Sequence, residues 1–183
     1  MKCPEPHPGA MTTRKAGDRR PSVAQGAYVD ESALLIGGVT IRRRASVWPC
    51  ALLRGDDDDV EVGEGSAIMD MAFAEAPRGR PVRVGKGCLV SHGARLHGCT
   101  VEEGSLIGIG AIVLDGAVIG RGSIVAAGSL VPPGKAVPPG SVAVGSPAAV
   151  ARQATDEDRA LVRSELEAVQ AKAERYSRSR GIR

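Results

Sequence analysis

Aromatic residues are scarce: one Trp, two Tyr and one Phe in 183 residues. Most globular cores draw much of their bulk from such rings, so the core here must be built from small aliphatic side chains. Long apolar runs are also missing. None approaches the roughly 20 residues that a membrane-crossing helix needs, and the N-terminal stretch MKCPEPHPGAMTTRKAGDRRP holds no apolar segment of the kind a secretory signal carries. Four cysteines, Cys3, Cys50, Cys88 and Cys99, form no CxxC pair and no regular framework, which argues against a zinc finger or a disulfide scaffold. Unpaired thiols suit a reducing compartment. The expectation is a cytoplasmic protein without membrane attachment.

Charge is unevenly placed. Residues 1–25 carry five Lys/Arg against two acids, residues 26–150 eleven against thirteen, and residues 151–183 eight against six. The middle of the chain is therefore not a basic surface built to track phosphates, and nucleic acid is not an expected partner. Hydrophobic residues make up 43%, enough to exclude disorder throughout. Glycine (24) and proline (12) together form about a fifth of the chain, a density that breaks the helices of a long bundle.

What the sequence does have is a repeat. Ile41, Val47 and Leu53 are six residues apart. After three extra residues the series resumes at Val62, Ile68 and Ala74, and after four more at Val84, Val90 and Leu96. It then slips back by one and runs unbroken through Val101, Ile107, Val113, Ile119, Val125 and Val131. All fifteen anchors are aliphatic, and fourteen are Val, Ile or Leu. A period of six is a multiple of the strand alternation of two and does not match the helical 3.6. Glycine recurs within the hexads, directly after the anchor at Gly63, Gly85, Gly108 and Gly120 and later in the hexad at Gly65, Gly104, Gly110 and Gly122. Short strands separated by glycine turns, three sides to a coil of about eighteen residues, stack into a parallel β-helix. Only slim aliphatic side chains fit so narrow a prism, which accounts for the missing aromatics.

The interruptions predict two projecting loops, one at the acidic run Gly55–Asp59 and one at 76–81. The Pro-rich stretch 132–147 loosens the pattern and closes the stack. Beyond it, Thr155 with Asp158 three residues on resembles a capping box, and Val162, Leu166, Val169, Ala173 and Tyr176 recur at helical spacing. The expected organisation is a disordered tail over 1–25, a β-helix over 26–150, a helix over 155–177 packed on the β-helix or on a neighbouring subunit, and a short tail over 178–183.

Local motifs narrow the family. SVWPCALLRGD (46–56), VSHGARLHGCTV (90–101), GSLIGIGAIVLDGAVIGRGSIVAAGSLV (104–131) and VAVGSPAAVAR (142–152) together resemble the γ-class carbonic anhydrases, hexapeptide-repeat proteins with a left-handed β-helix. The resemblance covers about residues 26–177 and implies a homotrimer in which three histidines from two subunits hold zinc, or another divalent metal such as iron or cobalt. The last two match His92 and His97. The first falls on Glu75, five residues after Asp70, so a carboxylate stands where the family has an imidazole. Arg54, Asp56 and Asp70 match the family's polar residues beneath and beside the site, with Arg54 and Asp56 expected in ion pairs between subunits. Ala67 and Met69 replace an asparagine and a glutamine.

Spacing adds its own argument. His97 lies 22 residues after Glu75, one coil plus the four inserted residues, and each directly follows an anchor, Leu96 and Ala74. Both should occupy one corner of adjacent coils, about 4.8 Å apart along the stack. His92 lies two after its anchor and points elsewhere, so a neighbouring subunit is needed to bring it to the same metal.

Three neutral imidazoles leave zinc its full double charge, which lowers the pKa of bound water to about 7. A carboxylate ligand cancels one unit, so hydroxide is scarcer, although a two-His, one-Glu set remains sound for zinc. No residue stands out as a separate base. The expected activity is reversible hydration of carbon dioxide to bicarbonate. A non-catalytic trimeric scaffold of the same family and a hexapeptide acyltransferase using a His base are the alternatives.

Overall fold

A computed structural model of the protein describes residues 12–179. The chain winds into a parallel β-helix of about seven coils. All fifteen anchors point inward, none more than 2% exposed, and they join one continuous aliphatic core. Anchors stack on anchors: Val90 is in register with Ile68 on one side and Ile107 on the other. One face is the ladder Tyr28–Val29, Ser46–Val47, Ala67–Ile68, Leu89–Val90, Leu106–Ile107, Ile124–Val125 and Ser141–Gly145. The other two faces form a single sheet, because strands Leu34–Ile41 and Leu52–Val62 run unbroken around the corner between them.

At that corner the first insertion forms a bulge: Asp56–Asp59 lie opposite the single residue Gly38, between the pairs Gly37↔Gly55 and Val39↔Val60. It lies inside strand Leu52–Val62, whose first part pairs with Phe73–Glu75 and whose last part pairs with Val82–Val84. Strand Leu34–Ile41 follows it on the other side, with a register shift between Gly37 and Val39. Main-chain pairing resumes on both sides of this bulge, and within it the chain folds back, the Asp58 carbonyl oxygen coming 3.0 Å from where a Cβ on Gly55 would sit. The second insertion, 76–81, is a loop as expected.

The N-terminal boundary also differs. Thr12–Arg14 and Ser22–Val23 pair in parallel with strand Leu34–Ile41, adding to the stack where a disordered tail was expected. The first coil leaves a row of unpaired backbone groups, and a polar segment can satisfy them through its main chain alone. The rest of that predicted tail, 1–11, and residues 180–183 lie outside the described residues.

Glycine does two jobs here. At Gly108, directly after an anchor, an added Cβ would sit 2.5 Å from the backbone nitrogen of Ala127 on the next coil, so close approach of the chains excludes a side chain. At Gly110 the space is open, but φ is +64°, and the left-handed turn itself favours glycine.

The stack ends in an antiparallel hairpin, Ser141–Gly145 with Ala148–Gln153. The helix Asp156–Ser179 follows. Its capping is reciprocal: the Asp158 N–H donates to Thr155 Oγ1 at 3.1 Å, and the Thr155 N–H donates to Asp158 Oδ2 at 2.8 Å. The helix packs on its own β-helix. Leu166 and Ala173 join Tyr28, Trp48, Ala67, Met69 and Leu89 in a second apolar cluster, each large aliphatic buried there contributing about 1.5–3 kcal/mol. Tyr28, Trp48 and Tyr176 meet in tilted and edge-to-face contacts at centroid distances of 5.4–6.1 Å, so three of the four aromatics pin the helix to the first coils rather than fill the prism. Among the described residues no helix is long and apolar enough to cross a membrane.

Candidate metal centre

In each short strand the anchor points inward and the residue after it points out. Leu53, Ala74 and Leu96 are anchors, so Arg54, Glu75 and His97 project from the same face, in register on three successive coils. Glu75 and His97 face each other: Oε2 lies 3.9 Å from Nε2. Arg54 Nη1 meets the other Glu75 oxygen, Oε1, at 3.0 Å, and its Nε donates to Asp56 Oδ2 at 2.8 Å. The Asp56 carboxylate, and after it Glu75, hold the Arg54 guanidinium above its already high ordinary pKa. Within the chain Arg54 thus meets both Asp56 and Glu75, and register accounts for the second contact, since Arg54 and Glu75 are direct cross-strand neighbours. The second Asp56 oxygen, Oδ1, is buried and without a hydrogen-bond partner among the described residues.

His92 sits at a different corner. Its Nε2 lies 3.5 Å from Asp70 Oδ2, on the turn that follows strand Leu89–Val90. The neighbouring turns of that edge carry exposed apolar side chains, Met71 at 67% and Ile109 at 59%. Met71 and Cys50 hold left-handed backbone, φ 58° and 57°, at turn positions where later coils place Gly93 and Gly110. Cys50 is exposed. Cys88 and Cys99 are buried, and burial pushes their thiols up to about 11 and about 12.

Ala67 and Met69 are buried in the apolar cluster beneath the C-terminal helix. Their apolar character in this chain matches that packing.

One participant escaped the sequence reading. Asp115 Oδ1 lies 2.7 Å from His97 Nδ1. The only signal was its distance of 18 residues from His97, one coil without insertion.

Among the described residues no group of three or more His, Cys, Asp or Glu converges as a metal site within one chain. The donor chemistry nevertheless fits a divalent ion. Zinc bonds of about 2.0–2.2 Å place tetrahedral N and O ligands roughly 3.4 Å apart, and Glu75 Oε2 and His97 Nε2 need to close only slightly from 3.9 Å. These two donors belong to one chain, and His92 lies at a different corner of the β-helix.

Residues 98–133 match the family model described as bacterial transferase hexapeptide (six repeats). The chain is 47% identical to gamma carbonic anhydrase 3, mitochondrial, of Arabidopsis thaliana, over 80% of this chain and 59% of that protein. It is 42% identical to a protein of Methanocaldococcus jannaschii named "Probable carbonic anhydrase", over 74% of this chain and 86% of that one. Among solved structures, a hexapeptide transferase family protein from Anaplasma phagocytophilum superimposes with a TM-score of 0.87 at 35% identity, covering 90% of this chain and 98% of that one. The chain spans 53–59% of the length of the three Arabidopsis relatives it matches. By this sequence likeness over most of its length, and by the β-helix that accompanies it, the chain belongs to the γ-class carbonic anhydrase family of hexapeptide-repeat proteins.

Proposed function

We propose that this protein hydrates carbon dioxide reversibly at a divalent metal site between the subunits of a homotrimer, with Glu75 and His97 supplied by one protomer and His92 by its neighbour. The observation that carries this reading is the face-to-face placement of Glu75 Oε2 and His97 Nε2 at 3.9 Å. A divalent metal bound there would polarise a water for attack on carbon dioxide. The chain's own residues prepare the place. Arg54 anchors one oxygen of Glu75 and leaves the other directed at His97. Glu75 and His97 are each largely covered, at 22% and 34% side-chain exposure, which strengthens the field between charges. The exposed Met71 and Ile109 give the His92 edge the apolar character of a surface that a second copy covers.

A non-catalytic scaffold is the second reading, favoured by the Arg54–Glu75 ion pair, which already satisfies one carboxylate oxygen without a metal.

Mixing variants tests both. His92→Ala and His97→Ala should each abolish zinc uptake while the trimer persists in sedimentation. Unfolded and refolded together in equal amounts, they should regain roughly one quarter of the sites, one half times one half, because a site then needs one subunit of each kind. No recovery, or zinc uptake by either variant alone, rules out the shared site. No zinc in the wild-type trimer supports the scaffold.

A further inference from the structure

We propose that Asp115 is the positioning residue of His97, and that Gly98 is a glycine because a side chain there would collide with the Asp115 carboxylate. Asp115 Oδ1 and His97 Nδ1 are 2.7 Å apart, within the range of a charge-assisted N–H···O bond. An ionised carboxylate only accepts hydrogen bonds, so the imidazole proton resides on Nδ1. In the neutral ring the lone pair is then on Nε2, the nitrogen that faces Glu75 Oε2. Those two atoms are both acceptors, and at 3.9 Å they lie beyond hydrogen-bond reach. The arrangement presents a pair of lone-pair donors to a cation.

The surroundings are shaped for this contact. A Cβ at Gly98 would come within 2.4 Å of Asp115 Oδ1, the same oxygen that accepts from His97, and within 3.0 Å of Arg80 Cβ and 3.4 Å of Pro77 Cγ. Other left-handed turn glycines of the stack, Gly93, Gly104 and Gly110, have open space at that point. Gly98 therefore answers to more than its backbone angle of +53°. The loop 76–81, one of the two interruptions of the hexad series, forms the outer wall against it. Asp115 has no other side-chain partner among the described residues.

The tautomer stands on this geometry alone; its effect on metal affinity rests on the reading of His97 as a ligand. A carboxylate on the distal nitrogen of a metal-binding imidazole fixes ring orientation and raises basicity, and its loss typically costs 10–100-fold in affinity.

The test is two-bond proton–nitrogen correlation NMR of His97 in metal-free protein at pH 8, in wild type, Asp115→Ala and Gly98→Ala. Wild type should show the Nδ1–H form, and both variants should move toward Nε2–H. Zinc competition with a chromophoric chelator should show affinity reduced 10–100-fold in both, with circular dichroism unchanged. An Nε2–H signal in wild type overturns the proposal, and so does an Nδ1–H signal that survives in the variants. If Asp115→Ala does not fold, the wild-type spectrum and Gly98→Ala still decide. If wild type binds no zinc, the metal reading fails while the tautomer result continues to report on Asp115.

Discussion

Arg54 and Glu75 are cross-strand neighbours on adjacent coils, and the guanidinium holds only one of the two carboxylate oxygens, Nη1 to Oε1 at 3.0 Å. The free oxygen is the one turned toward His97. Fixing a carboxylate by one oxygen costs its rotamer freedom, and a ligand already ordered loses less on binding. The same contact distinguishes Glu75 from a freely solvated acid.

The charge of that carboxylate has a measurable consequence. At the proposed metal site, Glu75→His would make all three donors neutral and leave the metal's full field on its water. The zinc-loaded variant should hydrate carbon dioxide about tenfold faster near neutral pH, the effect of roughly one unit in the acidity of that water. Stopped-flow indicator assays check this; an equal or slower variant contradicts the charge argument.

The two kinds of glycine should respond differently to substitution. Gly108→Ala drives a methyl into the backbone of Ala127 and should cost about 1–3 kcal/mol as overpacking, with the upper end favoured because backbone cannot swing away. Gly104→Asn, at φ +71° with open space, should cost under about 1 kcal/mol, since Asn tolerates left-handed backbone. Urea denaturation of the two variants against wild type gives the comparison.

Acid should erode the helix cap. Arg152, and after it the Thr155 N–H, hold the Asp158 carboxyl well below the usual carboxylate range. The fold favours the charged form, so the contribution is complete above the unfolded value of about 4 and is lost as pH falls toward the depressed folded value. Asp158→Asn should therefore be less stable than wild type at pH 7, with the gap narrowing at pH 2.5. A gap that stays constant across that range contradicts the assignment.

Burial holds the Cys88 and Cys99 thiols up to about 11 and about 12. At pH 8 neither should react with iodoacetamide in the native protein, because the thiolate is the nucleophile. Peptide mapping should find both modified only after unfolding in urea.

The coils were legible in the sequence because a narrow prism admits only aliphatics at every sixth position, a steric demand that hydropathy records directly. The placement of Glu75 against His97 followed from counting the inserted residues, since both come directly after an anchor. The acidic corner was legible in part. Counting the three inserted residues placed the interruption at Gly55–Asp59; that it is a bulge inside a strand paired before and after it leaves no hydropathy pattern. Pairing through the main chain likewise hid the strands before residue 26. Asp115 carries no sequence mark beyond its 18-residue spacing from His97; what sets it apart is the carboxylate oxygen resting over Gly98, a three-dimensional fact.

The C-terminal helix acts as a ruler for the stack. Its 24 residues extend about 36 Å, and seven coils at about 4.8 Å rise to nearly the same height. It begins beside the last coil, where the Ala154 N–H just before it donates to the Gly140 carbonyl, and ends at the first coils, where Tyr176 meets Tyr28 edge-on. One helical turn therefore keeps pace with roughly one coil, as the alternating steps of four and three from Val162 to Tyr176 require. Evolution could lengthen or shorten such a column only by adding or removing a coil and a helical turn together.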